Sequence, residues 1–167
     1  AVGPISNFAA GDQNWNLYVS EKDRQKNYTE LAQELLSGKK GESKPTKLLT
    51  GFCMMIDHKV LDILDLSHDD KPAPLDEAMF VGGEDLDLCW RLRRAGYKLK
   101  VALDVFVFHK GQQSFQSEEK KTGNKLTQES HSVLKKKIDN YYGKENKVNG
   151  EELFGVGWFG TEVNDIP

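Results

Sequence analysis

The chain has 167 residues, 38% of them hydrophobic and 10% aromatic, which is one domain's worth of chain with too many apolar side chains for a disordered segment. Its 23 Lys+Arg against 26 Asp+Glu leave a net charge of -3, so no cationic excess points to nucleic acid. No run of about 18 apolar residues reads as a membrane span.

The opening AVGPISNFAA reads as the interior of a domain, with a Gly-Pro turn beside a strand end. Tyr28, Leu31 and Leu35 set the period of an amphipathic helix from Asp23 to Ser37, stopped at Gly38, and KKGESKP after it reads as a loop. The apolar run Leu48 to Ile56 predicts a buried strand. Asp57 then caps a short helix through Leu64, and the two prolines of SHDDKPAP exclude regular structure there. In FVGGEDLDLCWRLRRAGYKL, a helix with an acidic first turn and arginines in its last turns runs to Ala95, with Gly96 just beyond its end. Alternation from Tyr97 through Leu103 and the apolar run Val105 to Phe108 predict one or two strands ending at His109. Gln112 to Asn124 reads as a polar loop. Leu126, Val133, Leu134, Ile138 and Tyr141 predict a last amphipathic helix closed by Gly143, before a tail with few periodic positions.

The cysteines Cys53 and Cys89 stand in apolar stretches, GFCMMI and LDLCWRL, and read as reduced core thiols rather than a disulfide framework. No charged region followed by an apolar one opens the sequence, so the expected location is cytoplasmic; the Ala at position 1 reads as the start of an excised piece.

Chemistry concentrates where the double glycine meets the acidic helix start. Residues three, four and seven after Asp85 are Leu88, Cys89 and Leu92, so Asp85 heads the apolar stripe and its carboxylate faces the core edge. Glu84, Asp87, Arg91 and Arg94 share another stripe, expected to be solvated, with Asp87 and Arg91 at ion-pair spacing. A carboxylate at such a rim is pulled toward its charged form by the helix terminus and toward its neutral form by burial and neighbouring charge. That balance suits a general base; capping alone is the plainer reading of the pair. Gly82 and Gly83 let the backbone come close to whatever lies before the carboxylates. His109 stands at a strand end, where α/β sheets place ligand-contacting groups. Trp90 lies on a different helical face and could stack on a sugar or fill a core. His58, His68 and His131 have no partner at metal spacing, and Lys135, Lys136 and Lys137 read as a solvated face.

The order VGPISN, Gln13, TGFCMMID, GGEDLDLCWRLRRAGYKL and VFVFHKGQQSF resembles the acceptor-side half of glycosyltransferase family 2. The resemblance covers most of residues 2 to 115, leaving 116 to 167 as a C-terminal helix and tail of a single domain or fragment. It implies an α/β fold, a partial GT-A (Rossmann-like) mixed sheet flanked by helices. It also implies that Asp85 is the catalytic base with Glu84 beside it, and that His109 is a ligand of Mn²⁺ or Mg²⁺. Gly51 and Phe52 then lie near acceptor and donor sugar, with Gly82, Gly83 and Trp90 lining the sugar site. The partners implied are a nucleotide-sugar donor, a carbohydrate or protein acceptor, and the N-terminal half, whose nucleotide-binding strands and Asp-x-Asp motif this sequence lacks. Asp85-Leu86-Asp87 has that spelling but sits on the helix. No Gln-x-x-Arg-Trp follows His109, which suggests single transfers rather than polymerisation. The expected function is therefore a non-processive, inverting sugar transferase. A carbohydrate-binding or assembly fragment without a donor site is the alternative from another class, and a retaining transferase similar to the polypeptide N-acetylgalactosaminyl type is a third.

Overall fold

The computed structural model describes residues 1–61, 74–80, 82–111, 119–146 and 148–155. The expected SHDDKPAP turn, His68, Trp158 and most of the expected 112–124 loop fall wholly or largely outside them.

Among the described residues three strands make a mixed sheet in the order β1-β3-β2. β1 (Val2–Ile5) runs parallel to β3 (Leu99–Phe106), and β2 (Ser43–Thr46) runs antiparallel to it. Around the sheet lie α1 (Tyr28–Gly38), α2 (His58–Leu61), α3 (Glu84–Arg94), α4 (Glu119–Tyr142) and α5 (Gly150–Phe154). The chain is thus mixed α/β. Among the described residues no helix is long and apolar enough to cross a membrane.

The expected first helix divides in two. Asn27 is extended and its side chain accepts the Glu30 amide at 2.9 Å, so the α-helix starts at Tyr28. Asp23–Gln25 forms a separate 3-10 turn, tied back to Ser20. The buried stripe Leu31 and Leu35 matches the expected period.

The run Leu48 to Ile56 makes no strand. It touches the sheet through one antiparallel bridge, Met55 to Val2, with backbone bonds of 2.8 and 2.9 Å. Leu48 and Leu49 are buried all the same, because side chains serve their backbone. The Leu49 amide donates to Cys89 Sγ at 3.3 Å, and the Thr50 amide donates to Gln13 Oε1 at 2.7 Å. Apolarity there reported burial without a ladder. The strand lies instead in the expected loop, where β2 carries Ser, Lys, Pro and Thr. Those polar residues on a short edge strand give no alternation, and an edge tolerates Pro45. In β1, Gly3 and Pro4 lie within the strand rather than in a turn.

α3 is the centre of the core. Leu86, Leu88, Cys89, Trp90 and Leu92 are all buried, and Leu134, Ile138, Leu153 and Phe154 from α4 and α5 join them. Gly96, at φ 86°, turns the chain out of α3, with the Tyr97 amide donating to Leu92 O at 3.0 Å. The expected solvated stripe of α3 is corrected here, because Asp87 is 0% exposed. Arg91 Nε donates to its Oδ2 at 2.7 Å and Lys137 Nζ to its Oδ1 at 2.9 Å. Lys137 also pairs with Asp76 at 2.6 Å, so this lysine joins α4 to α3 and to the segment before the double glycine, and is no free surface charge. α4 begins at Glu119, inside the expected loop. Both cysteines are free, and burial pushes the Cys89 thiol up to about 12.

Candidate active site

Parallel strands deliver their C-terminal ends to the same edge of a sheet. β1 runs on into Asn7 and Phe8, and β3 into Phe108 and His109. The register shifts between Pro4 and Ile5, and beyond it side chains finish the pairing. Asn7 Nδ2 donates to His109 O at 3.0 Å, while the His109 amide donates to Asn7 Oδ1 at 2.9 Å. A cleft of about 770 Å³ opens at this edge, and Gly51, Phe52, Glu84, Asp85 and His109 all line it. Four separate stretches of chain meet there, the fourth running from Asn7 to Asn14.

Gly82 and Gly83 have φ of 75° and 91°, a left-handed path that L side chains seldom take. This turns the chain sharply into α3, whose first two residues carry the carboxylates. A methyl on Gly83 would stand 3.5 Å from Met79 Sδ and 3.6 Å from His131 Cδ2. The pair therefore shapes the helix start from behind, packed toward α4.

Asp85 Oδ1 accepts the Leu86 amide at 2.9 Å, and Oδ2 accepts the Gly51 amide at 3.0 Å. The second bond links the two acidic residues to the loop that carries Phe52. Burial raises the Asp85 carboxyl from its ordinary value despite those amides. Glu84 is raised as well, by burial first and by the Asp85 charge. Its Oε2 is buried with no hydrogen-bond partner.

His109 is held on three sides. Phe52 stacks on it at 4.9 Å with an interplanar angle of 9°, and Phe8 meets it edge-on at 5.4 Å. Its Nδ1 lies 2.9 Å from Phe8 O. A carbonyl can only accept, so Nδ1 carries the proton and Nε2 keeps its lone pair. That tautomer fits a metal ligand or a proton acceptor. Among the described residues no group of three His, Cys, Asp or Glu side chains could hold a metal ion.

Trp90 is placed elsewhere. It is 2% exposed, set against Tyr141 and Tyr142 with Arg94 over its ring at 4.7 Å, so its position is that of a core side chain.

Four contributors carried no signal of their own chemistry in the sequence. Asn7 and Phe8 matter through where β1 ends. Gln13 is 0% exposed, donates to Pro4 O at 2.9 Å and accepts from the Thr50 amide and hydroxyl, fixing the loop whose next amide meets Asp85. His131 lies behind Gly83; burial lowers its pKa and the Asp85 charge opposes that. Compared with protein-family models, curated proteins and solved structures, the chain matches none.

Proposed function

We propose that the chain is the acceptor-side part of an inverting, non-processive sugar transferase similar to glycosyltransferase family 2, with a partial GT-A arrangement. The observation that carries this reading is the meeting of the Gly51–Phe52 loop, the Glu84–Asp85 helix start and His109 in one cleft. Asp85 and His109 were singled out from the residues and from the resemblance, Gly51 and Phe52 from the resemblance, and Gly51, Asp85 and His109 are 34 and 24 positions apart.

Transfer of a sugar from a nucleotide diphosphate forms a bond from the acceptor oxygen to the anomeric carbon and breaks the bond from that carbon to phosphate. The acceptor hydroxyl must lose its proton as this happens. Asp85 is the group that takes it. Its carboxyl is raised by burial toward the pH at which a base both exists ionised and binds a proton usefully. The Gly51 and Leu86 amides hold it in one orientation, leaving an oxygen lone pair for the hydroxyl proton. Glu84, beside it, is itself raised, by burial first and by the Asp85 charge. A divalent cation, Mn²⁺ or Mg²⁺, bound in part by His109 Nε2, would supply Lewis-acid stabilisation of the departing diphosphate. The rest of that ligand set and the nucleotide site belong to the family's other half.

The test is product analysis in the protein that carries this chain. With a nucleotide sugar and Mn²⁺, turnover should yield a product of inverted anomeric configuration. Asp85→Asn should lower kcat by about 10²-fold or more at nearly unchanged donor affinity. Parental turnover in that variant removes Asp85 from the base role, and a retained anomer points to the other transferase class. Donor titration that gives no heat favours a carbohydrate-binding fragment.

A further inference from the structure

His109 carries its proton on the nitrogen that a histidine in water does not favour. A free neutral imidazole prefers the proton on Nε2, and which nitrogen holds it in a protein is set by the hydrogen bond the ring makes. Here the Phe8 carbonyl, 2.9 Å from Nδ1, draws it to the other side. That carbonyl lies beyond β1, which ends at Ile5. Asn7 is tied to the His109 backbone through both ends of its side-chain amide, and the Phe8 amide donates to Oγ of buried Ser6 at 3.3 Å. These bonds hold the segment as far as the Phe8 nitrogen. Turning about the next bond, N–Cα, moves the Phe8 side chain and its carbonyl together. Whatever seats the ring therefore restrains the carbonyl.

The Phe8 ring is 47% exposed, so enclosure alone does not keep it in place. Against it lies Gly111, a buried glycine at φ 63°. A methyl on Gly111 would stand 2.8 Å from Cδ1 and Cε1 of Phe8 and 2.9 Å from Cγ, where carbon atoms in ordinary contact are about 3.5–4.0 Å apart. The position of Cγ does not change when the ring spins on its own axis, so spinning would not clear the overlap. The same ring meets the His109 imidazole edge-on at 5.4 Å. One aromatic side chain thus rests on a glycine that allows close approach and on the imidazole that its own carbonyl binds.

We propose that Gly111 is a positioning residue for this site: its missing side chain seats the Phe8 ring, and the seated ring keeps the Phe8 carbonyl on Nδ1, so that His109 offers Nε2 as an acceptor. The sugar-transfer reading enters only in what that acceptor is for.

Long-range nitrogen–proton NMR on the whole ¹⁵N-labelled chain at about pH 8.5, where an ordinary imidazole is neutral, distinguishes the two tautomers. The parent His109 should carry its proton on Nδ1. Phe8→Ala keeps the carbonyl and removes the ring, and should lower the ratio of Nδ1–H to Nε2–H by about five-fold or more, the worth of one ordinary hydrogen bond. Gly111→Ala, which displaces the ring, should do the same. Gly41→Ala is the control: at φ 75°, with nothing within 4 Å of an added methyl, it brings backbone strain without a clash and should leave the ratio unchanged. The Phe8→Ala arm stands even if Gly111→Ala does not fold. A parent ring protonated on Nε2, a ratio unmoved in either folded variant, or an equal shift in Gly41→Ala would each overturn the inference. Neither sugar nor metal enters these spectra, so their failure leaves sugar transfer to the Asp85→Asn assay, and failure of that assay leaves the tautomer result intact.

Discussion

Asp87 is a buried carboxylate between two cations. Arg91 approaches one oxygen and Lys137 the other, while Lys137 also pairs with Asp76 at 2.6 Å. Removing one member of a buried ionic cluster leaves its partners' charges uncompensated, which costs more than the pair is worth in a hydrophobic exchange. Asp87→Ala should therefore destabilise the fold by about 3 kcal/mol in urea unfolding. A loss below about 0.5 kcal/mol would mean the carboxylate acts as a surface charge, as its helical spacing suggested. Sequence could give the spacing to Arg91 but not the third partner, which arrives from 50 positions away on α4. Asp85 was legible for the opposite reason. Its apolar stripe, its glycines and its neighbour are all local. Trp90 was not, because an aromatic on a helix has the same spelling whether it meets a ligand or Tyr142.

At the scale of elements, the link from sheet to site passes through Gln13. Gly3, in β1, has no side chain because the space is filled. An added methyl would lie 2.6 Å from Gln13 Nε2 and 3.2 Å from Cys53 O. Three hydrogen bonds pin that amide, so it cannot swing away cheaply. Gly3→Ala should cost about 1–3 kcal/mol and, by displacing the Thr50–Gly51 loop, should weaken glycoside binding by more than its effect on stability explains. Chemical shifts of the Gly51 amide in the variant check this; unchanged shifts would refute the coupling. α1 and α3 were legible through apolar period and a stop signal, and β3 through its alternation. β2 and the Leu48–Ile56 run exchanged their apparent roles, since an edge strand needs no apolar alternation and a buried loop can be apolar when side chains such as Gln13 and Cys89 satisfy its amides. The 3-10 turn at Asp23 and the early start of α4 are boundary effects of local capping that composition does not separate from a continuous helix or a loop.

For the molecule as a whole, titration separates the site from the scaffold. The folded state holds protons on Asp85 and Glu84 above their ordinary pKa values, because burial opposes charge there. Between the ordinary and the raised values the folded chain binds more protons than the unfolded one, so this pair's contribution to stability falls as pH rises through that window. Two other groups act differently. Burial alone would raise Asp76, but Lys137 and the Ala78 amide outweigh it and hold the carboxyl low, so its stabilising contribution is lost only in stronger acid. His131 is lowered by burial, so it favours the fold as pH rises toward 6.5. Taking the parent minus Asp85→Asn isolates the site. That stability difference, measured by urea unfolding, should decline as pH rises from the ordinary Asp value into the raised range. A flat or rising difference would show an ordinary carboxyl.

The cross-link between Asn7 and His109, with Phe8 O on the imidazole, has a mechanical meaning. The two strands end side by side along one cleft, and the bonds beyond their bulge make slippage of either inseparable from movement of the ring. A slide of β1 along β3 would withdraw the carbonyl that dictates which nitrogen is protonated, so the protonation pattern of a single heterocycle acts as a gauge of strand alignment.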